Sequence, residues 1–255
     1  MKAIFLCAGY GTRLYPLTEH KPKALLEIGG KVLLSYLLEK VKPLLLLNGV
    51  TIISNDRFYD HFCRWQETLK SDLSVSILND GTKDPEHRLG AIQDLKLVLE
   101  KEDIHDDVLV LAGDNFFDSD LNSFVSFAQA KCPGVSVGAY DVQDRALAQK
   151  YGLIKTDSSG KITAFLEKPK DPPTTLASMG IYYFPKEILH YVDQFLETNR
   201  NPDAPGYYMS WLSKKTNVYA YAFHGVWFDI GDLNSYEQAD QYLRTYRSGQ
   251  KASKK

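Results

Sequence analysis

A chain of 255 residues, 44% of them hydrophobic and 24% charged, can bury a substantial core, which excludes disorder as its resting state. Its 30 Lys and Arg against 32 Asp and Glu leave a formal net charge of −2, so no global field draws it to nucleic acid or to an anionic membrane. Cys7, Cys63 and Cys132 are far apart and lack the C-x-x-C spacing of a metal or redox motif; they are expected to be reduced core thiols.

The chain opens on "KAIFLCA", a run of strand-forming apolar residues with no longer apolar region before it, so no leader is expected. Strand patterns recur at "GVTIIS", "SVSIL" and "DVLVLAG", and helical patterns start near Lys31, Asp56 and Arg88 between them. In "SNDRFYDHFCRWQETLK", Phe58, Phe62, Trp65 and Leu69 fall at spacings of three and four, which predicts one face packed on a sheet. Such alternation predicts a parallel sheet covered by helices. "LLLLNGVTII" is broken by Asn48 and Gly49, and no run approaches the ~18 apolar residues of a membrane span; a soluble, cytoplasmic protein is expected.

After Asp114 short strands follow quickly: "SVGAYDV", "GLIKTD", "KITAFLEKP" and "SMGIYYF", with "DSSG" as a hairpin turn, so the sheet is expected to become mixed. Helical patterns return at "PKEILHYVDQFLE" and "YYMSWLSKK", then a strand at "VYAYAFHG", and a last helix from Leu233 to Tyr246. Residues 1–247 read as a single domain and residues 248–255 as a frayed basic tail.

The chemistry concentrates near the start, in "LCAGYGTRLYPLTEHKPK". A strand ending in Gly9 and Gly11 offers backbone N–H groups with little side-chain bulk, a concave cradle for anions. Arg13 inside the loop adds a planar fork and Lys23 a mobile point charge, and together these favour phosphate. A dinucleotide fingerprint would need a third glycine where Leu14 stands, and a P-loop would need G-K-[ST]; both are absent.

On these residues the chain resembles the sugar-1-phosphate nucleotidyltransferases, which carry G-x-G-T-R-L, P-L-T and K-P-K in that order. The likeness continues through "LAGDN", "YGLI", "FLEKP", "MGIYYF" and "WFDIGD". It implies a Rossmann-like α/β fold with a mixed, mostly parallel sheet flanked by helices. It also implies transfer of a nucleotidyl group from an NTP to a sugar 1-phosphate, with pyrophosphate released and Mg²⁺ as cofactor. By resemblance Asp114 and Asp229 hold the metal, while Asp232, just ahead of "LNSYEQ", is read as a helix cap instead. Arg13 and Lys23 would neutralise the triphosphate, and Lys168 would contact the sugar phosphate. Ala8, Gly9, Gly11, Thr12 and Gly90 would line the nucleotide site; Gly152, Glu167 and Gly180 would join Lys168 around the sugar. Glu167 and Lys168 are adjacent, so Pro169 is expected to end their strand and let both reach one pocket.

Two departures leave the substrates open. The thymidylyltransferase pattern Q-x-x-P-x-G-L-A has "EHRLGAIQD" in its place, without that glutamine or proline, and Met179 stands where a threonine is common. Thymidylyl transfer to glucose 1-phosphate is the leading expectation. The alternatives are uridylyl, cytidylyl or guanylyl transfer to another phosphorylated acceptor, or a regulatory protein that binds without turnover. The six histidines show no ligand spacing with carboxylates; Tyr182, Tyr183, Tyr207, Tyr208 and Trp211 are divided between core and pocket. No nucleic-acid or membrane partner is expected, and the chain is read as a monomer or homodimer.

Overall fold

In the computed structural model, which describes residues 1–70, 72–198 and 201–252, the chain starts in strand β1 (Lys2–Leu6). The two-residue strands β2 (Glu27–Ile28) and β3 (Lys31–Val32) lead into helix α1 (Leu33–Val41), which buries Leu33, Leu34, Leu37, Leu38 and Val41 along one stripe. Then come β4 (Val50–Ser54), α2 (Tyr59–Glu67), β5 (Val75–Asn79), α3 (Ala91–Lys101) and β6 (Val108–Ala112). β1 pairs in parallel with both β4 and β6, and β4 with β5. The chain therefore leaves β1 toward one side and later returns on the other, and such a sheet opens a crevice at its carboxyl edge where the direction reverses.

The second half adds β7 (Asn115–Phe117), α4 (Leu121–Lys131), β8 (Val135–Asp141), α5 (Arg145–Ala148), β9 (Gly152–Thr156) and β10 (Ile162–Glu167). It ends with β11 (Leu176–Phe184), α6 (Tyr191–Leu196), α7 (Pro205–Leu212), β12 (Val218–Phe223), β13 (Trp227–Asp229) and α8 (Leu233–Ala252). β11 runs antiparallel between β6 and β8, and β12 joins β8 in parallel, which gives the mixed sheet its nine strands. The register of β11 shifts between Ser178 and Ile181, and its first half turns to meet the β9–β10 hairpin through Ala177 and Leu153.

Alternate residues of the central strands feed two cores. Phe5, Leu111 and Tyr183 meet Leu37, Phe62 and Phe124 on one face; Ile4, Val110 and Tyr182 meet Ile92, Phe195 and Tyr208 on the other. Helices thus cover both sides of the sheet. Phe62 and Trp65 of α2 are buried as their spacing predicts. Of the cysteines only Cys7 is a buried core thiol; Cys63 is half-buried and Cys132 exposed, because Cys132 follows the end of α4. Helix α8 continues to Ala252, into the segment expected as a tail, and the last residues of that tail, 253–255, lie outside the described residues. No helix among the described residues is long and apolar enough to cross a membrane.

Candidate active site

Because Leu6 of β1 lies beside Ala112 of β6, the loops that follow these two strands leave the sheet side by side. Gly113 makes the approach possible: its N–H donates to the Leu6 carbonyl at 3.0 Å, and a Cβ there would overlap Cys7 Sγ. Gly11 adopts a left-handed backbone (φ 63°) and starts the 3-10 turn Thr12–Leu14, while the Thr18 hydroxyl donates to its carbonyl at 2.7 Å. That turn aims Arg13 across the crevice. Lys23 heads the next 3-10 turn and places Nζ 2.6 Å from Asp114 Oδ2. Gly9, Gly11, Thr12, Arg13, Lys23 and Asp114 all line one cleft of about 450 Å³.

Ala8 and Gly90 sit behind this wall. The Ala8 carbonyl accepts from Asn55 Nδ2 at 2.8 Å, and Asn55 Oδ1 in turn accepts from the Phe58 N–H at 3.0 Å, which pins the loop to the start of α2. Gly90 (φ 91°) precedes α3, and a Cβ there would lie 2.8 Å from the backbone N and Cα of Asp203.

Asp229 reaches the same place by strand pairing. β13 runs antiparallel to β7 with Asp229 opposite Asn115, and the Ile230 N–H donates to the Asp114 carbonyl at 2.9 Å. Trp227 Nε1 donates to Asn115 Oδ1 at 2.6 Å, and Asn115 Nδ2 to Asp114 Oδ1 at 3.3 Å. At Gly231 a Cβ would lie 3.4 Å from Asp229 Oδ2 and 3.7 Å from Arg13 Nη2, so carboxylate and guanidinium flank one glycine. Burial, and then the negative charge of Asp114, push the Asp229 carboxyl up to about 6, opposed by Lys23, Arg13 and Lys168. Two acids and three cations therefore act on a single volume.

Across Asp114 and Arg13 this cleft meets a second cavity of about 520 Å³, lined by Tyr151, Gly152, Glu167, Lys168, Gly180, Tyr182 and Trp227 among others. Sequence reasoning assigned the joint arrival of Glu167 and Lys168 to Pro169. The backbone assigns it to Lys168 itself, whose left-handed φ of 44° turns the chain just after β10 and sets its Nζ 3.7 Å from Glu167 Oε1. Burial raises the Glu167 carboxyl, with Lys168 opposing. Gly152 leaves room for it, since a Cβ there would lie 3.2 Å from Glu167 Oε2, and Gly206 does so more severely because its Cβ would overlap that oxygen. Gly206 escaped the sequence reading; the signal was a glycine inside the first turn of a helix that begins "PGYYMSWL".

Tyr151 and Trp227 pack with ring centroids 5.0 Å apart and planes tilted by 48°, and form an aromatic wall of the second cavity. Tyr182 also lines it, whereas Tyr183, Tyr208 and Trp211 belong to the cores and Tyr207 is exposed. Asp232 Oδ1 accepts from the Ser235 N–H at 2.8 Å and caps α8, and Asp232 pairs with Lys150 at 3.2 Å. No third His, Cys, Asp or Glu joins Asp114 and Asp229 to make a closed metal cage among the described residues.

The sequence profile of the family described as nucleotidyl transferase matches residues 2–245. A Sulfolobus acidocaldarius protein assigned as a mannose-1-phosphate guanyltransferase is 32% identical over 250 residues, which cover 97% of this chain and 64% of that protein. The UTP--glucose-1-phosphate uridylyltransferase AglF of Haloferax volcanii is 26% identical over 250 residues, covering 96% of this chain and 97% of its own. The chain spans about half to two thirds of the length of the first curated relatives it matches. A crystal structure of a Bacillus anthracis protein assigned as a glucose-1-phosphate thymidylyltransferase, in complex with a sucrose, superposes with a TM-score of 0.79 at 25% identity, covering 96% of this chain and 95% of that one.

Proposed function

Because the chain belongs to the nucleotidyl transferase family, we propose that it transfers a nucleotidyl group from a nucleoside triphosphate to a sugar 1-phosphate and releases pyrophosphate. The observation that carries this reading is the meeting of Asp114, in the turn just before β7, with Asp229, on the paired strand β13, at the junction of two clefts, one cationic and glycine-walled, the other with a carboxylate and aromatic rings.

In this reaction an oxygen of the sugar phosphate attacks the α-phosphorus in line with the departing pyrophosphate. Two highly charged anions must approach, so the protein's work is positioning and charge stabilisation. Arg13 and Lys23 reach the first cleft and would neutralise the triphosphate, then the pyrophosphate as it leaves. Lys168, at the second cavity, would hold the phosphate of the acceptor. Glu167, wedged against two glycines, is aimed to accept hydrogen bonds from sugar hydroxyls. The donors at the junction are hard carboxylate oxygens, two in number, which suits a Mg²⁺ ion that keeps several waters and takes substrate phosphates as further ligands. Held by Asp114 and Asp229, such an ion would supply charge neutralisation at the reacting phosphates.

Glucose 1-phosphate is the proposed acceptor, supported by the names of the Haloferax and Bacillus relatives. The relatives differ in base. Thymidylyl transfer is supported by the Bacillus protein's assignment and by no residue of this chain.

The test is pyrophosphate release with Mg²⁺, each of five nucleoside triphosphates and a panel of sugar 1-phosphates. Asp114→Asn and Asp229→Asn are each expected to lower turnover by at least roughly a hundredfold with an unchanged circular dichroism spectrum. A near-normal rate in either variant removes that residue from the metal pair. Nucleotide binding without release from any pair would indicate a binding protein instead.

A further inference from the structure

Resting on that reading of the first cleft as a nucleotide site, we infer that Tyr10 is a positioning residue: through a relay to Thr82 and Asp80 it holds the glycine loop in the shape that receives the triphosphate. Tyr10 stands between Gly9 and Gly11 and lines the cleft with them. Among the described residues no acceptor meets the backbone N–H of Gly9, Tyr10 or Gly11, so these donors stay free for phosphate oxygens. Glycine has more conformational freedom to lose than any other residue, and here two of them flank one position. The side chain between them is therefore the natural place to fasten the loop.

Tyr10 is 4% exposed, its ring centroid lies 6.4 Å from that of Phe58, and its hydroxyl donates to Thr82 Oγ1 at 3.0 Å. The Thr82 hydroxyl donates in turn to the Asp80 carboxylate, 2.8 Å from Oδ1 and 3.0 Å from Oδ2. Thr82 is itself clamped: its N–H donates to Asp80 Oδ1 at 2.7 Å, and its carbonyl accepts from the Asp56 N–H at 2.8 Å. The Asp80 N–H donates to the carbonyl of Ser54, the last residue of β4, at 2.8 Å. The relay thus ties the loop after β1 to the ends of β4 and β5. With Asn55 Nδ2 on the Ala8 carbonyl and the Thr18 hydroxyl on the Gly11 carbonyl, it is the third fastening of one short loop.

The last member of the relay fixes its direction. An ionised carboxylate only accepts, so the Thr82 proton points to Asp80 and the Thr82 oxygen is left to accept from Tyr10. The Tyr10 hydroxyl is thereby set as a donor, and burial makes loss of its acceptor costly. A loop already held in its bound shape loses less freedom when a ligand arrives than one that must first be ordered. Tyr10 acts in this way through the backbone of the cradle, so the effect falls on the phosphates whichever base follows them.

The experiment titrates GTP, CTP, ATP, UTP and dTTP into the wild-type protein, Tyr10→Phe, Thr82→Val and Thr82→Ser without acceptor, and measures KM for the sugar 1-phosphate and the melting temperature of each protein. Tyr10→Phe keeps the ring against Phe58 and removes the donor. It is expected to weaken every triphosphate that binds by one common factor of about three to ten, the scale of a single buried hydrogen bond, with KM for the sugar phosphate unchanged. Thr82→Val is expected to do the same, Thr82→Ser to bind as wild type does, and Tyr10→Phe to cost nothing further in the Thr82→Val background. Unchanged affinities in Tyr10→Phe with only a lower melting temperature, or a loss confined to one base, overturn the inference. If the wild-type protein binds none of the five, the nucleotide site falls and this inference with it. Binding without pyrophosphate release would sink only the reaction proposed above, and the titrations would still decide the role of Tyr10.

Discussion

Asp94 shows what a single helical position can demand. It lies in the first turn of α3, 5% exposed, with Oδ1 unpartnered and Ile92, Leu95 and Val98 buried around it. Burial, and then the charges of Asp80 and Asp203, push its carboxyl up from 3.8 to about 8. The folded chain thus binds a proton that the unfolded chain releases, so this group's contribution is fully present below pH 3.8 and is lost as pH rises through about 8. Asp94→Asn keeps the shape without that demand. Its melting temperature is expected to exceed wild type by several degrees at pH 7 to 8 and to match it below about pH 4. Equal melting temperatures across the range would mean that Asp94 is solvated. The conflict was legible in "GAIQDLKLVLE", where the acid shares a face with Ala91, Leu95 and Val98; its electrostatic neighbours on other elements were not.

The ribbon formed by β7 and β13 decides the site at the scale of an element. Each strand is three residues long, too short for periodicity to reveal, and "WFDIGD" carried no signal for its partner. What aligns the strands is the Asn115–Asp229 register, fastened by the indole N–H of Trp227 on Asn115 Oδ1. Asn115 touches Asp114, so Trp227 acts as an outer support for the proposed metal pair. Trp227→Phe keeps a smaller ring in the cavity wall and deletes the donor. It is expected to raise the Mg²⁺ concentration for half-maximal turnover by about tenfold, with KM for the sugar phosphate little changed. An unchanged Mg²⁺ requirement would show that strand pairing alone aligns the two acids. Lys168 teaches a similar lesson: adjacent residues on a strand face opposite ways, and only the left-handed turn after Glu167 brings both to one cavity.

For the whole molecule, the continuity of the nine-stranded sheet matters most. β11 touches β6, β8 and β9, so the parallel half and the mixed half share one strand, and both cores run along it. The chain from 1 to 247, proposed as a single domain, is then expected to unfold in urea as one cooperative unit. Trp65 and Trp211 report from opposite cores and Trp227 from the cavity, so tryptophan fluorescence and far-ultraviolet circular dichroism should trace the same midpoint. Two separated transitions would divide the chain near β7 into independent units.

The amino-acid sequence by itself determined the main strands and most of the longer helices, though not α4, α5, β7 or β13, as well as the change from parallel to mixed order after Asp114 and the glycine and cation content of the loop from Gly9 to Lys23. Each of these depends on residues within a few positions of one another, where periodicity, glycine and charge act directly. Only the tertiary structure decided that Asp229 would stand beside Asp114, that Gly206 would make room for Glu167, and that Thr82 would fasten Tyr10. Those neighbours come from strand register and helix docking across the sheet, and spacing along the chain carries no measure of either.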